Sequence, residues 1–274
     1  MIVDTHAHPY SQDDPAYPPV AEPYRPPKGA GSPEHLRREM REAGVDRAML
    51  IQTFTYYGFD NSFVRDTAMG AGAWAAGAVN LDPQHPHSAD ALYAMVKRAN
   101  IRAIRVASMP YGRYDLPGVR RLYAEALGLG IVVNALCTLE DAEPLAGLLA
   151  DFPRLPVVLD HCFSLTAGDL LEPSVKKVVE LARIPNLHAK LSFLPMGSAE
   201  EYPFRDMHDA LRRILRAFGP ERCIWGSDFP TQLFCPKVTY AGHLRLFQEE
   251  LGLTSREQEH ILETTPARLY FGAS

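Results

Sequence analysis

Eight short apolar runs rich in Val and Ile recur along the chain, and a stretch with helical periodicity follows each of them. The runs span residues 2–6, 48–52, 75–80, 101–107, 131–136, 157–161, 187–192 and 223–228. Strands that alternate with helices lie parallel and need helices over both sheet faces, and eight such units close into a barrel. The pattern therefore predicts a (β/α)8 TIM barrel of the α/β class, with a doubly wound open sheet as the alternative.

The amphipathic stretches carry residues that begin and end helices. Ser32 precedes a predicted helix over residues 33–43, Glu34 falls in its first turn, and Gly44 follows its last residue. The same periodicity predicts helices at 61–69, 88–99, 119–129, 140–150, 174–182, 206–218 and 239–250. One continuous pattern favours a single domain over residues 1–274.

The composition argues against several function classes. Lys and Arg number 28 against 33 Asp and Glu, and this net charge of −5 disfavours a nucleic-acid partner held through phosphates. No run of about 18 apolar residues occurs and no secretory signal begins the chain, so the sequence indicates a cytoplasmic protein without a membrane partner. The four cysteines form no CxxC pair and are expected to be reduced. A homo-oligomer remains possible.

Residues 11–28 interrupt the regular pattern with six prolines and two interleaved tyrosines. Proline is disfavoured both inside helices and in central strands, so no regular element is expected there. The segment follows the first strand directly. It is predicted to form either a lid that becomes ordered over the mouth of the barrel or a surface insertion.

Polar side chains end three of the predicted strands. The first ends in DTHAH at 4–8, where alternation directs His6 and His8 to the same side. His161 closes the sixth strand and Asp228 closes the eighth. Active sites of such barrels lie at the carboxyl ends of the strands, so these four side chains are expected to share one mouth. The alternative is that His161 and Asp228 only cap loop backbone.

The chain as a whole carries a set of motifs that fit these positions. They are DTHAH at 4–8, GVDRAMLIQ at 44–52, GFDN at 58–61, IRAIRV at 101–106, VVLDH at 157–161, AKLS at 189–192, IWGSDFP at 224–230 and ILETTPARLY at 261–270. With them the chain resembles the amidohydrolase superfamily, and within it the amidohydrolase-related branch that contains 2-pyrone-4,6-dicarboxylate lactonase and L-fuconolactone hydrolase. The resemblance implies a hydrolase that opens a lactone or related cyclic ester of an anionic small molecule with water.

The resemblance also implies roles for the residues at the strand ends. His6 and His8 would polarise the substrate carbonyl or hold a metal, and His161 would assist them. Asp228 would take the proton of the hydrolytic water. Arg105, at the end of the fourth strand, would pair a substrate carboxylate through its two-pronged guanidinium, unless it only bridges a neighbouring strand end.

A divalent metal, Zn or Mn, is one interpretation of these residues. His6, His8 and Asp228 are enough in number for a mononuclear site, and His161 is a less favoured ligand. Many superfamily members place a further lysine or histidine ligand on the fourth or fifth strand, whereas the fifth strand here offers Asn134. The lactonase branch includes members that work without metal, so a metal-independent site remains open as well.

Lys190, Tyr56 and Asn134 are further candidate substrate-binding residues. Alternation in the seventh strand directs Lys190 toward the barrel interior. There it would bind an acidic substrate or pair with Asp228 or Asp160 as part of the scaffold. Tyr56 follows the second strand and would line either the pocket or the core.

Two other functions remain as alternatives. Superfamily decarboxylases usually carry another catalytic histidine shortly after the seventh strand, whereas residues 193–198 contain none. Metal-dependent decarboxylation of an aromatic or unsaturated acid is therefore the second hypothesis. A barrel that binds a ligand without catalysis is the third, and the complete set of polar strand ends argues against it.

Overall fold

The computed structural model describes residues 1–109 and 111–272, which contain eight strands in one parallel sheet. In chain order the strands are β1 (Val3–Ala7), β2 (Arg47–Ile51), β3 (Ala75–Asn80), β4 (Ile101–Ala107), β5 (Val132–Leu136), β6 (Val157–Leu159), β7 (Leu187–Lys190) and β8 (Cys223–Ile224). Each strand pairs with the next one along the chain, so the order around the sheet is the order in the sequence.

Contacts between β1 and the segment after β8 close the sheet. The Thr5 amide donates to the Trp225 carbonyl over 3.2 Å, and the His8 amide donates to the Phe229 carbonyl over 2.7 Å. Ala7 and Phe229 form a parallel bridge. The predicted (β/α)8 barrel is confirmed, and the open sheet is excluded.

Helices surround the barrel. They are α1 (Pro33–Ala43), α2 (Phe54–Tyr57), α3 (Ser62–Ala71), α4 (Ser88–Arg98), α5 (Pro117–Leu129), α6 (Ala142–Asp151), α7 (Leu171–Leu181), α8 (Leu194–Gly197), α9 (His208–Phe218), α10 (Thr231–Phe234), α11 (Tyr240–Arg245), α12 (Ser255–Glu259) and α13 (Thr265–Phe271). Within the described ranges, none of these helices has both the length and the apolar character required to cross a membrane.

The ends of α1 follow from its local sequence. The Ser32 hydroxyl accepts the amide of His35 over 3.1 Å, and Pro33 occupies the first helical position. Gly44 ends the helix with a φ of 74°, a left-handed conformation that glycine adopts at little cost. The helix has the bounds that these residues predict.

Two apolar layers stabilise the barrel and leave only one end available for a site. Side chains on the outer face of the strands pack against the helices, and a second cluster fills the interior. Tyr270 of α13 joins the interior cluster, and the Arg47 guanidinium lies 5.0 Å from the ring centre of Phe271. Because Arg47 begins β2, α13 covers the amino-terminal ends of the strands. The carboxyl ends remain open.

Strands β6 and β8 end earlier than the sequence pattern suggests. Beyond the strands, His161 and Asp228 adopt left-handed backbone conformations, with φ values of 53° and 54°. Non-glycine residues rarely adopt such values. The two side chains therefore project from loops directly beyond the strands, and these loops set their direction.

Residues 11–28 consist of irregular backbone with turns and bends, and they lie against α2. The Val20 amide donates to the Tyr56 carbonyl over 2.8 Å, and the Tyr24 amide donates to the Thr55 carbonyl over 3.1 Å. These bonds hold the proline-rich segment beside the mouth of the barrel.

The packing of α5 against the loop after β3 predicts opposite effects for two glycines of one helix. A β-carbon at Gly118 would lie 1.4 Å from the Pro83 carbonyl oxygen, whereas a β-carbon at Gly128 would meet nothing within 4 Å. We expect Gly118→Ala to lower the free energy of unfolding by about 1–3 kcal/mol or more. Gly128→Ala should raise it by up to about 1 kcal/mol. Urea denaturation measures both, and equal midpoints would contradict the packing.

Candidate active site

The carboxyl ends of the strands surround one cavity of about 140 Å³. Its polar floor contains His6, His8, Arg105, His161 and Asp228, each at most 8% exposed. The structure thus brings together the residues that the sequence placed at the strand ends. A buried cavity with a few convergent polar groups has the usual form of an active site.

Asp160 is the buried anion that holds the two cations of the site. Its Oδ1 lies 2.7 Å from Lys190 Nζ, and its Oδ2 accepts a hydrogen bond of 2.8 Å from Arg105 Nε. Burial opposes the ionisation of Asp160, but the charges of Lys190 and Arg105 hold its pKa below the usual range. Burial lowers the pKa of Lys190, and Asp160 counters that shift. The scaffold alternative for Lys190, an ion pair with Asp160, is therefore the arrangement observed.

A chain of hydrogen bonds assigns the protons of the two histidines on the first strand. Lys190 Nζ lies 3.0 Å from His6 Nδ1; an ammonium only donates, so the His6 proton resides on Nε2. His6 Nε2 donates to His8 Nε2 over 3.1 Å, and His8 Nδ1 donates to the Ile51 carbonyl over 3.1 Å. Burial, aided by the charge of Lys190 at His6 and by that of Arg105 at both rings, lowers the pKa of both imidazoles well below the usual value. Both rings are neutral.

His161 reaches the cavity from a left-handed turn after β6. Residues 161–164 have φ values between 48° and 64°, a conformation that costs about 1–2 kcal/mol for each non-glycine residue. Arg105 Nη2 lies 3.4 Å from His161 Nε2, and His161 Nδ1 lies 2.7 Å from the Ser192 hydroxyl oxygen. Since a guanidinium only donates, Nε2 accepts and Nδ1 carries the proton. Burial is the main cause that lowers the pKa of His161 to about 3.

Asp228 faces both histidines without a donor of its own. Its Oδ1 lies 3.7 Å from His6 Nε2 and 3.6 Å from His161 Nδ1. Neither carboxylate oxygen has a hydrogen-bond partner within the part of the chain that the structure describes. Burial raises the pKa of Asp228 well above the usual value, although Lys190 opposes the shift. A desolvated carboxylate is a stronger base than a solvated one, and this one is free to bind water or substrate.

Asp4 is a positioning residue that the sequence pattern did not single out. Its carboxylate accepts hydrogen bonds from the Ser227 amide and hydroxyl over 2.9 and 2.6 Å, from the Tyr240 hydroxyl over 3.0 Å and from the His6 amide over 3.0 Å. These bonds tie β1 to the loop that carries Asp228. The sequence feature that could have identified Asp4 is its position as the first residue of the DTHAH motif.

Asn134 and Tyr56 lie outside the cavity lining. Asn134 accepts a hydrogen bond of 2.7 Å from the Tyr270 hydroxyl within the barrel, since its place in the middle of β5 is one layer below the mouth. The Tyr56 hydroxyl accepts from Arg25 over 2.6 Å and donates to Asp14 over 2.9 Å, under the proline-rich segment. The geometry therefore offers neither residue a direct contact with a substrate in the cavity.

A family model described as Amidohydrolase matches residues 3–272. The chain belongs to this amidohydrolase family. The match runs from β1 to the end of α13 and so includes every strand end that contributes to the cavity. The resemblance noted in the sequence is confirmed.

Three curated relatives have names that refer to lactones. The amidohydrolase is 25% identical over 202 residues to L-fucono-1,5-lactonase of Burkholderia ambifaria, which covers 72% of this chain and 69% of the relative. It is 26% identical over 278 aligned positions to 4-sulfomuconolactone hydrolase of Rhizobium radiobacter, with 97% and 89% covered. It is also 26% identical over 256 positions to D-galactarolactone isomerase of Agrobacterium fabrum, with 91% and 83% covered.

Solved structures share the fold. A candidate 2-pyrone-4,6-dicarboxylic acid hydrolase from Pseudomonas putida superposes with a TM-score of 0.82 at 20% identity, covering 98% of this chain and 97% of that one. An amidohydrolase from Burkholderia multivorans with bound zinc superposes with a TM-score of 0.78 at 21% identity, covering 99% of both chains. At these identities the likeness concerns the fold alone.

Distances alone would permit a metal in this amidohydrolase. Within the described ranges, one ligand-type atom each from His6, His161 and Asp228 lies within 4.8 Å of the other two. The metal ligands favoured from the sequence were His6, His8 and Asp228. In the structure, His161 takes the place of His8 in this group of three. His8 Nε2 is instead engaged with His6 Nε2.

The proton positions of the histidines do not fit a metal ion. A ligating histidine offers one lone pair to the ion and usually donates its other N–H to an acceptor. Here the other nitrogen of His6 faces Lys190 and that of His161 faces Arg105, and both of these groups only donate. The protons therefore lie on the nitrogens that face Asp228, where a metal would need lone pairs.

Arg105→Lys should weaken the binding of an anionic substrate although it preserves the charge. Arg105 uses Nε for Asp160 and Nη2 for His161 and retains its remaining N–H groups for the cavity, whereas the single ammonium of a lysine would pair with Asp160. We expect kcat/KM to fall by about 10- to 100-fold, the size of one hydrogen bond to a charged group. Arg102→Lys, at an exposed position of the same strand, is the matched control. Unchanged kinetics at Arg105 would remove it from substrate binding.

Proposed function

We propose that this amidohydrolase opens a lactone or related cyclic ester of a small anionic molecule by adding water. The observation that carries the proposal is the unpartnered carboxylate of Asp228, buried beside two neutral imidazoles. Hydrolysis by water requires a proton acceptor for the water and donors for the oxyanion, and these groups supply both. The lactone-related names of the curated relatives support the substrate class.

Asp228 takes up one proton during the reaction and returns it before the product leaves. As the water oxygen bonds to the lactone carbonyl carbon, Asp228 takes a proton from the water. The N–H groups of His6 and His161 would exchange their present acceptors for the oxyanion that forms. When this intermediate collapses, the ring C–O bond breaks and Asp228 returns the proton to the departing ring oxygen. The product is a hydroxy acid, and no covalent bond to the enzyme forms.

Arg105 is the residue that would hold the anionic group of the substrate. It is the cation among the described residues that line the cavity. Asp160 fixes its Nε and so directs the remaining N–H groups of the guanidinium. The substrate would thereby be oriented with its ester next to Asp228.

We propose further that the reaction needs no resident metal. Lys190 donates to one ring nitrogen of His6, and Arg105 donates to one ring nitrogen of His161. The proton of each ring therefore lies on its other nitrogen, where a metal would need a lone pair. The imidazole N–H groups then act on the carbonyl oxygen directly. Because the Burkholderia multivorans structure of the same fold holds zinc, the metal dependence of this enzyme has to be measured directly.

The proline-rich segment 11–28 is proposed to be a lid of the single domain. The ring of Tyr24 lies 5.9 Å from that of Phe234, which in turn lies 4.9 Å from the ring of His8. A lid that rests on the cavity wall in this way would exclude bulk water during the reaction.

Decarboxylation receives less support from the same site. The segment in which superfamily decarboxylases usually carry another catalytic histidine forms α8 here, and Met196 extends from it into the cavity. A thioether cannot transfer a proton to a carbanion. The segment therefore lacks the group that decarboxylation would use.

Asp228→Asn is expected to remove most of the turnover and preserve the fold. The amide cannot take the proton of water, so kcat should fall by about 100-fold or more. Burial raises the folded-state pKa of Asp228 above its ordinary value of 3.8. The ionised group therefore lowers stability as pH rises through that range, and asparagine removes this effect. The thermal midpoint at neutral pH should stay equal or rise.

The pH profile of the wild-type enzyme tests Asp228 as the base, together with the kcat and the thermal midpoint of Asp228→Asn. Activity should fall in acid with an apparent pKa above 3.8, because Asp228 must be ionised to accept a proton. Near-normal kcat in the asparagine variant would contradict the mechanism. A lower midpoint with normal turnover of the folded fraction would mean that Asp228 only anchors its loop.

Chelation should leave the enzyme active. After treatment with EDTA, and with metal content measured on the same sample, kcat/KM on the best lactone should be unchanged and added Zn²⁺ or Mn²⁺ should not increase it. Loss of activity that either ion restores would show that a metal takes part. The histidine protons would then have to move when the metal binds.

A further inference from the structure

The wall of the cavity above its polar floor is apolar. It consists of side chains from strand ends, loops and short helices, namely Phe54, Ala107, Met109, Leu136, Met196 and Phe234. Met109 is 59% exposed and Met196 is 38% exposed, so this wall lies between the buried floor and the solvent. A substrate with its ester at the floor must place the rest of its body against these side chains.

Tilted and edge-to-face aromatic contacts hold one side of the wall, whereas the opposite rim is adaptable. The ring of Phe234 is held between His8 and Tyr24 at centre distances of 4.9 and 5.9 Å. Methionine side chains are flexible and polarisable and adjust to apolar groups of different shape. Met109 and Met196 can therefore accept an apolar substituent that extends toward the mouth.

Above the floor, the polar side chains that line the cavity are Thr53, Thr55 and Asn80, and two of these three are already engaged. Thr53 Oγ1 lies 3.3 Å from His8 Nδ1. The side-chain amide of Asn80 donates to the Gln52 side chain over 2.6 Å and to the Gln52 carbonyl over 3.1 Å. A polyhydroxylated lactone would bury several hydroxyls against Met, Leu and Phe without partners, which opposes binding.

The positive charge of the cavity suffices for one anionic group. Both cations are paired with Asp160, but Arg105 lines the cavity and has N–H groups left for an anion, whereas Lys190 is fully buried and directed at His6. A second carboxylate on the substrate would lie against the apolar wall. Burial of an unpaired charge there is unfavourable.

We propose that the substrate is a lactone with one anionic group and an apolar body, aromatic, unsaturated or alkyl, rather than a polyhydroxylated sugar lactone. This inference rests on the proposed lactone hydrolysis. Met109, Met196 and Phe234 are the residues that determine the specificity. Arg105 orients the single anion at the floor, and the apolar wall selects the body.

A pair of γ-lactones that each carry one carboxylate tests the proposal. One is 5-oxotetrahydrofuran-2-carboxylate with an alkyl substituent on the ring, and the other is a pentaro-1,4-lactone, which has its carboxylate on the same ring carbon and carries two ring hydroxyls in place of the alkyl group. We expect kcat/KM to favour the hydroxyl-free lactone by about 100-fold or more. Equal or reversed preference would overturn the apolar substrate class and leave lactone hydrolysis intact. Hydrolysis of neither lactone would count against the proposed function itself and so overturn both proposals.

Variants of the wall separate its contribution from general effects on folding. Met196→Gln and Met109→Gln keep the length of the side chain and add a polar amide. Each should reduce the preference for the hydroxyl-free lactone by about 10-fold or more, chiefly through a higher KM. Met69→Gln, at a 55% exposed position of α3 away from the cavity, is the matched control and should change nothing. An unchanged preference in both wall variants would show that the wall does not select the substrate.

Discussion

The carboxylate of Asp160 is the centre on which the rest of the site depends. It lies between Lys190 and Arg105 in the interior of the barrel, at 2.7 and 2.8 Å. Buried ions are tolerated only when they are paired in this way, so removal of one partner would leave an uncompensated charge. Each cation then contacts a different histidine, Lys190 on His6 and Arg105 on His161. One anion thus determines the proton positions of the two imidazoles that face Asp228.

The same arrangement explains why no cation pairs with Asp228. Both cations already have Asp160 as their anionic partner, so Asp228 retains two unpartnered oxygens and a raised pKa. The left-handed conformation of Asp228 and of residues 161–164 adds backbone strain at the same place. Strain and unpaired charge lower stability and are typical of sites organised for chemistry. The tightly packed barrel around them provides the stability that tolerates both.

Sequence reasoning was most successful where backbone geometry alone sets the outcome. Parallel strands in one barrel bring their carboxyl ends together, so His6, His161 and Asp228 had to converge once the eight strands were recognised. Asn134 shows the limit of this reasoning. Alternation predicts which face of a strand a side chain lies on, but it does not predict how far from the mouth the substrate cavity extends. The apolar wall was missed for a related reason. Met109 and Met196 lie in or next to loops, where no periodic pattern indicates direction.

The sequence by itself determined the barrel, the order of its strands, the convergence of the polar strand ends and the family. These follow from hydrophobic periodicity and motifs, which are properties of the chain read locally. Only the tertiary structure decided that Asp160 pairs Lys190 with Arg105, that His6 and His161 direct protons toward Asp228, and that the cavity above them is apolar. Those features depend on contacts of about 3 Å between different strands. Hydrogen bonds and ion pairs change with fractions of an ångström, and strand order leaves such distances undetermined.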